Sequence, residues 1–271
     1  MSEQESPVCT APNSPCKRGT LISIEGINGV GKTYLTDRIR TLLPASGRSA
    51  PLVLEEFSAR KNGDDLGRAL LHTLIDAADG DMFLRSGTPG TEALLLFAIK
   101  AYDLDLAIPA LADGRLVIEG RGLDTTAIYQ ALLTETSDAA AAMRARALLD
   151  FATAWRALPD LTILIVDDPD LAMRRAEQRG TFTYNDADRT LQRRAATLYL
   201  TLAAEDPDRI RILDRRTVDE NEAAEQMRAW IAEAWDIDRA CLAQPWRGRN
   251  GTCAEGTCRF GARPAPAATV R

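Results

Sequence analysis

Histidine is nearly missing from this chain: His72 is the only one in 271 residues. Cysteine is sparse and peripheral, at positions 9, 16, 241, 253 and 258. Together these shortages narrow the metal chemistry. Cys253 and Cys258 have neither a second pair nor a nearby histidine, so the spacing of a zinc site is incomplete. An odd cysteine count, all of it outside the expected core, also argues against a disulfide framework. Long apolar runs are missing as well. None reaches the length of about 18 residues that a membrane-spanning helix needs. There is no surplus of basic charge either. With 33 Lys and Arg against 39 Asp and Glu, the net charge is −6, which gives no reason to expect nucleic acid or an anionic membrane as partner. Residues 1–18 are polar, with Glu3, Glu5, Pro7 and Pro12 before Arg18, and lack the apolar segment of a signal peptide. A cytoplasmic protein is expected.

Against these absences stands a cluster of glycines. Gly26-Ile27-Asn28-Gly29-Val30-Gly31-Lys32-Thr33 fits G-x-x-x-x-G-K-[ST], the phosphate-binding loop. Such a match needs a strand leading in and a helix leading out. Thr20-Leu21-Ile22-Ser23-Ile24-Glu25 is a β-branched run suited to a buried strand. Leu35, Ile39, Leu42 and Leu43 follow at i, i+4, i+7 and i+8, one face of a helix that Pro44 is expected to stop. The physics explains the residue types. Successive backbone N–H groups of Gly26, Gly29, Val30 and Gly31 form an anion-binding concavity. A helix starting near Lys32 adds about half a positive charge at its N-terminus. Lys32 carries a full charge toward the β- and γ-phosphates of a nucleoside triphosphate, and the Thr33 hydroxyl is placed to ligate Mg²⁺.

Five strand-like runs are separated by helical stretches: 20–25, 52–57, 116–119, 161–166 and 210–213. Runs apolar on both faces, alternating with helices, predict an α/β fold in which helices cover both faces of a five-stranded parallel sheet. Residues 1–18 read as a flexible leader, 19–235 as one P-loop domain, and 236–271 as a loose tail carrying Cys, Gly, Pro and Arg. Ligands of such sheets bind beyond the carboxyl ends of the strands. The loops there hold Gly26–Thr33, Phe57–Arg60, Glu119–Arg121 and Asp167–Asp168.

Arg121 follows the third strand, where it could grip a phosphate with two donors. Glu119 could hold Mg²⁺ through water, act as a base, or simply be solvated. After the fourth strand come Arg174, Arg175, Arg179, Arg189, Arg193 and Arg194, around a bend at Gly180. A mobile arginine-bearing lid suits phosphoryl transfer, where a late-arriving guanidinium is worth roughly 10³–10⁵ in rate. Arg175 and Arg179, just before the bend, are the expected members, and i,i+4 charge pairs account for several others. Phe97, on a helix of mostly core residues, could pack inward or stack on a base.

Five stretches in order resemble the thymidylate kinase family across most of 18–235. They are "LISIEGINGVGKTYL", "LLLFAIKAYDLD", "GRLVIEGRGLDTTAIYQ", "PDLTILIVDDPDLAMRRAEQRG" and "YLTLAAEDPDRIRILD". The resemblance implies a P-loop kinase that moves a phosphoryl group from ATP to a nucleoside monophosphate, with Mg²⁺. It implies that Phe97 stacks on the base and that Arg121 holds the acceptor phosphate. Thr126, Tyr129 and Gln130 would line the base and sugar side, and Arg60 would also touch the acceptor phosphate. Three departures stand out. Asn28 occupies the place of an acid that contacts the sugar 3′-hydroxyl. Gly120 replaces the acid before the phosphate-gripping arginine, which leaves Glu119 to rebuild the Mg²⁺ network. Lys100-Ala101 replaces a base-reading Asp-Arg pair, so the acceptor is open between dTMP and an altered nucleotide. Kinases of this kind are commonly dimers, which leaves a homodimer open here.

Two other readings compete. A nucleoside kinase would phosphorylate a hydroxyl and need a carboxylate base, a role for Glu119. A nucleotide-binding regulator would not turn over at all, against which stand Lys32, Thr33 and the arginine-rich lid.

Overall fold

Each of the five strand-like runs forms a strand of one sheet, in a computed structural model that describes residues 18–45, 49–54, 65–180 and 183–236. In chain order the elements begin with β1 (Leu21–Glu25), α1 (Lys32–Ala45), β2 (Leu52–Leu54), α2 (Leu66–Ala77) and α3 (Pro89–Ala112). Next come β3 (Val117–Gly120), α4 (Leu123–Thr134), α5 (Asp138–Thr153) and β4 (Leu161–Val166). The chain continues with α6 (Pro169–Arg179), α7 (Asp186–Glu205), β5 (Ile210–Asp214) and α8 (Glu220–Asp236). Residues 55–57, expected to extend β2, lie outside the described residues.

The strand order is β2-β3-β1-β4-β5, and every pairing is parallel. From β1 the chain runs to the β2 edge, returns through β3, and then builds the other half through β4 and β5. The winding therefore reverses at β1, and a crevice opens at the carboxyl ends of β1 and its neighbours. The loops after β1 and β3 meet there, because Ile24 lies beside Gly120 in register.

Side-chain alternation along β1 assigns the faces. Leu21 joins Val117 and the α3 residues Leu104, Ala107 and Leu111 in one cluster. Glu25 faces the same way and reaches α4 and α7. Ile22 and Ile24 share a core with Leu35, Ile39 and Leu43 of α1. Helices α1 and α8 pack on each other, and α8 also covers β4 and β5. The helix face read from the sequence of α1 is thus its buried face. Pro44 sits inside the last turn of α1, not beyond it, and the helix ends one residue later. Arg18, assigned to the leader, is ion-paired to Asp160 at 2.6 Å, and Asp236, assigned to the tail, closes α8.

Candidate active site

The glycine-rich loop leaves β1 and enters α1 as expected. Gly26, Gly29 and Gly31 have φ of +129°, +85° and +100°, the left-handed region that residues with a Cβ resist. Close approach adds a second reason at Gly29, where a Cβ would lie 1.8 Å from the Ala172 carbonyl oxygen of α6. Val30 contributes only backbone to the loop, since its side chain is buried in the core. Lys32 is folded over the loop and donates from Nζ to the Gly26 and Ile27 carbonyls, both at 2.9 Å. Gly29, Gly31, Lys32 and Thr33 face a cavity of about 540 Å³. Loop N–H groups, an ammonium and a helix N-terminus converge there, an arrangement that binds polyphosphate.

Across the same cavity stand Arg121 and one face of α4: Thr125, Thr126, Tyr129 and Gln130. Positions 126, 129 and 130 share a face because they are three and four residues apart. Arg121 has φ +55°; its N–H donates to the Ile24 carbonyl at 3.1 Å. Its guanidinium donates to Oδ1 of Asn28. The amide at position 28 therefore still accepts from a cation, though it brings no charge. The Tyr129 hydroxyl donates to Oε1 of Gln192 at 3.1 Å, and burial pushes it up to about 12. Oε1 of Gln130 is buried without a protein partner and borders the cavity.

Phe97 lies elsewhere. Its ring is buried in the core and meets Phe151 edge-on at 6.4 Å. The phenyl ring at the cavity wall is Phe83, stacked on Tyr129 at 5.8 Å with the Arg85 guanidinium 5.1 Å from its centroid. Arg85 is tied in turn to Asp81 and to Asp188 of α7. The stretch 78–88 has neither helical nor strand periodicity, so the sequence gives no reason to single out Phe83. Arg215 was equally hidden, although it follows β5 at a strand tip, where ligands gather. Its Nη1 would lie 2.9 Å from a Cβ on Gly31.

Glu119 is directed away from the cavity into a buried ion pair with Arg156 at 2.6 Å. Arg156 also donates to the Lys100 carbonyl at 3.2 Å. The Lys100 side chain is buried 3.9 Å from Asp103, and burial lowers its ammonium below the usual lysine range. The carboxylate that directly precedes the phosphate loop is Glu25, wholly buried at the end of β1. It accepts from Ser23 at 2.6 Å and from the Gly122 N–H at 2.7 Å. Burial, reinforced by the negative charge of Asp124, raises its carboxyl to about 7 despite those bonds.

Of the lid arginines, Arg179 lines the cavity and donates to the Arg175 carbonyl at 3.2 Å. Arg175 itself is paired with Asp167 at 2.5 Å. Arg189, Arg193 and Arg194 pair with Glu177, Asp170 and Asp138. Ion pairs account for those three, but they join α7 to α6 and α5 and are not the i,i+4 pairs expected within one helix. Gly180 ends α6 in an extended conformation. Arg60 lies outside the described residues. Among the described residues no cluster of three His, Cys, Asp or Glu could hold a metal ion by itself, and no helix is long and apolar enough to cross a membrane.

The sequence model of the thymidylate kinase family matches residues 24–226. A thymidylate kinase of Bifidobacterium longum (strain DJO10A) is 35% identical over 197 residues, covering 72% of this chain and 89% of its own. One from Halorhodospira halophila (strain DSM 244 / SL1) is 34% identical over 224 residues, or 80% of this chain and 95% of its own. One from Jannaschia sp. (strain CCS1) is 34% identical over 198 residues, or 71% and 86%.

Proposed function

The chain belongs to the thymidylate kinase family, a family of nucleoside monophosphate kinases, and from that premise we propose that it transfers the γ-phosphoryl group of ATP to dTMP or an altered nucleotide. One observation carries the assignment of roles: the phosphate loop and Arg121 face each other across a single cavity. In this reading the loop N–H groups and Lys32 hold the triphosphate, with Lys32 exchanging its two carbonyl partners for phosphate oxygens. Arg121 presents the acceptor phosphate in line. Thr126, Tyr129 and Gln130 surround the sugar and base. Arg179 adds charge as the equatorial oxygens become more negative. An acceptor phosphate is already ionised at neutral pH and needs no base.

Thr33 fits a Mg²⁺ site, since it follows Lys32 at the cavity and a triphosphate and water supply the remaining oxygens. Mg²⁺ bound there would neutralise phosphate charge. Catalysis is assigned to 19–235, with cytoplasmic action and a homodimer as the accompanying proposals. Hydroxyl transfer with Glu119 as base is disfavoured, because that carboxylate is committed to Arg156.

The test is a panel of nucleoside monophosphates and nucleosides with ATP and Mg²⁺, scored by ADP release. Turnover with a monophosphate alone is expected, fastest with dTMP or a close analogue. Turnover with nucleosides alone overturns the assignment.

A further inference from the structure

We propose that Glu25 is a positioning residue: its buried carboxylate helps hold Arg121 at the cavity wall by fixing the peptide that follows it. The proposal rests on the reading that Arg121 grips the acceptor phosphate. Glu25 is 0% exposed and does not border the cavity, so whatever it does passes through its neighbours. Oε1 accepts from the Ser23 hydroxyl at 2.6 Å and from the Gly122 N–H at 2.7 Å. Oε2 accepts from the Thr125 hydroxyl, and the Tyr199 hydroxyl lies 2.6 Å from that of Thr125 and 3.4 Å from Oε2. One side chain thereby joins β1, the turn after β3, α4 and α7.

Arg121 adopts φ +55°, which a residue with a Cβ holds only where its surroundings over-determine it. The peptide before its Cα is fixed by its own N–H, which donates to Ile24 at 3.1 Å. The peptide after it is fixed by the Gly122 N–H, which donates to Glu25. With both planes tied to β1, φ and ψ of Arg121 are restrained, and its Cβ leaves the sheet in one direction. Gly122 makes the approach feasible. A Cβ there would lie 2.7 Å from Ser23 Oγ and 2.6 Å from Glu119 Oε1. The acidic neighbours have cations of their own, Arg209 for Asp124 and Arg156 for Glu119. That leaves Glu25 to the Gly122 N–H and the neighbouring hydroxyls.

Steady-state kinetics of the full chain test this, with dTMP or the fastest monophosphate of the panel as acceptor. The variants are Glu25→Gln, Arg121→Ala and the two combined. A Gln amide keeps the shape but replaces one acceptor oxygen with a donor. The expected result is an acceptor KM raised about tenfold at unchanged ATP KM, the scale of one hydrogen bond to a charged group. The double variant is expected to be no worse than Arg121→Ala. An unchanged acceptor KM, an equal rise in both KM values, or a full additional factor on top of Arg121→Ala overturns the proposal alone. If Arg121→Ala itself leaves the acceptor KM unchanged, the phosphate-grip reading fails and takes the proposal with it. Should Glu25→Gln not fold, Tyr199→Phe removes the hydroxyl that lies against both Thr125 and Glu25. It should raise the acceptor KM by about two- to threefold without moving that of ATP, and an unmoved ratio overturns the proposal.

Discussion

Lys32 donates to the Gly26 and Ile27 carbonyls. Exchanging them for phosphate oxygens trades two neutral acceptors for charged ones, so the ammonium interacts more strongly as charge develops in transfer. Lys32→Ala is therefore expected to lower turnover by roughly 10²–10³, with the acceptor KM little changed; initial rates at saturating acceptor check it. Glu25 makes a prediction of a different kind. Its carboxyl stands at about 7 against an ordinary 4.5, so between those values the folded chain binds more protons than the unfolded one. Stability should fall as pH rises through that window, by up to about 3 kcal/mol. Urea unfolding at pH 5 and pH 8 checks the sign, with Glu25→Gln losing this component of the slope. What the sequence reveals at this scale is what neighbours in sequence decide. The loop glycines, Lys32 and Thr33 act as a local unit and were legible. Glu119 was not, because its partner Arg156 lies 37 residues away. Phe97 and Phe83 have the same chemistry, and only tertiary packing sends one to the core and the other to the cavity.

Elements bring together what the loops present. The phosphate loop packs directly on α6 at Gly29, so the loop and the helix carrying Arg175 and Arg179 cannot move independently. Gly29→Ala would place a methyl group against the Ala172 carbonyl, at a φ of +85°. The backbone alone costs about 1–2 kcal/mol, and relief of the clash requires α6 to shift. A lowered melting temperature with a raised ATP KM is expected; a stable variant of unchanged ATP KM would show that the two elements are not coupled. Strand cores and the buried face of α1 were readable because period and β-branching are local signals. Element ends were less so. Pro44 sits within the final turn of α1, where it forfeits one hydrogen bond near a terminus already short of partners. The segment 78–88 acquires its order from Arg85, whose partners Asp81 and Asp188 lie on separate parts of the chain.

For the molecule as a whole, winding order decides which residues meet. Because β1 lies between β3 and β4, the phosphate loop, Arg121 and α6 surround one crevice although about 150 residues separate the first from the last. Parallel α/β architecture was legible from apolar runs alternating with helices, whereas strand order was not, since it depends on pairings that no local pattern encodes. The final helix tests where the catalytic unit ends. Ala223, Ala224, Met227 and Ile231 of α8 are fully buried, Trp235 donates to the Gly114 carbonyl at 3.2 Å, and the helix covers α1, β4 and β5. Removing 220–271 would uncover that face. A large apolar side chain contributes about 1.5–3 kcal/mol when buried, so the loss of several approaches the total stability of a domain, about 5–15 kcal/mol. That truncation is expected to yield unfolded or aggregated protein by circular dichroism. Ending the chain at Asp236 keeps every one of these contacts and every residue assigned to the cavity. Its kcat and both KM values should stay within about twofold of the full chain, inside the scatter expected when no named interaction is removed. A larger loss of activity in a folded 1–236 protein would place part of the site in residues 237–271.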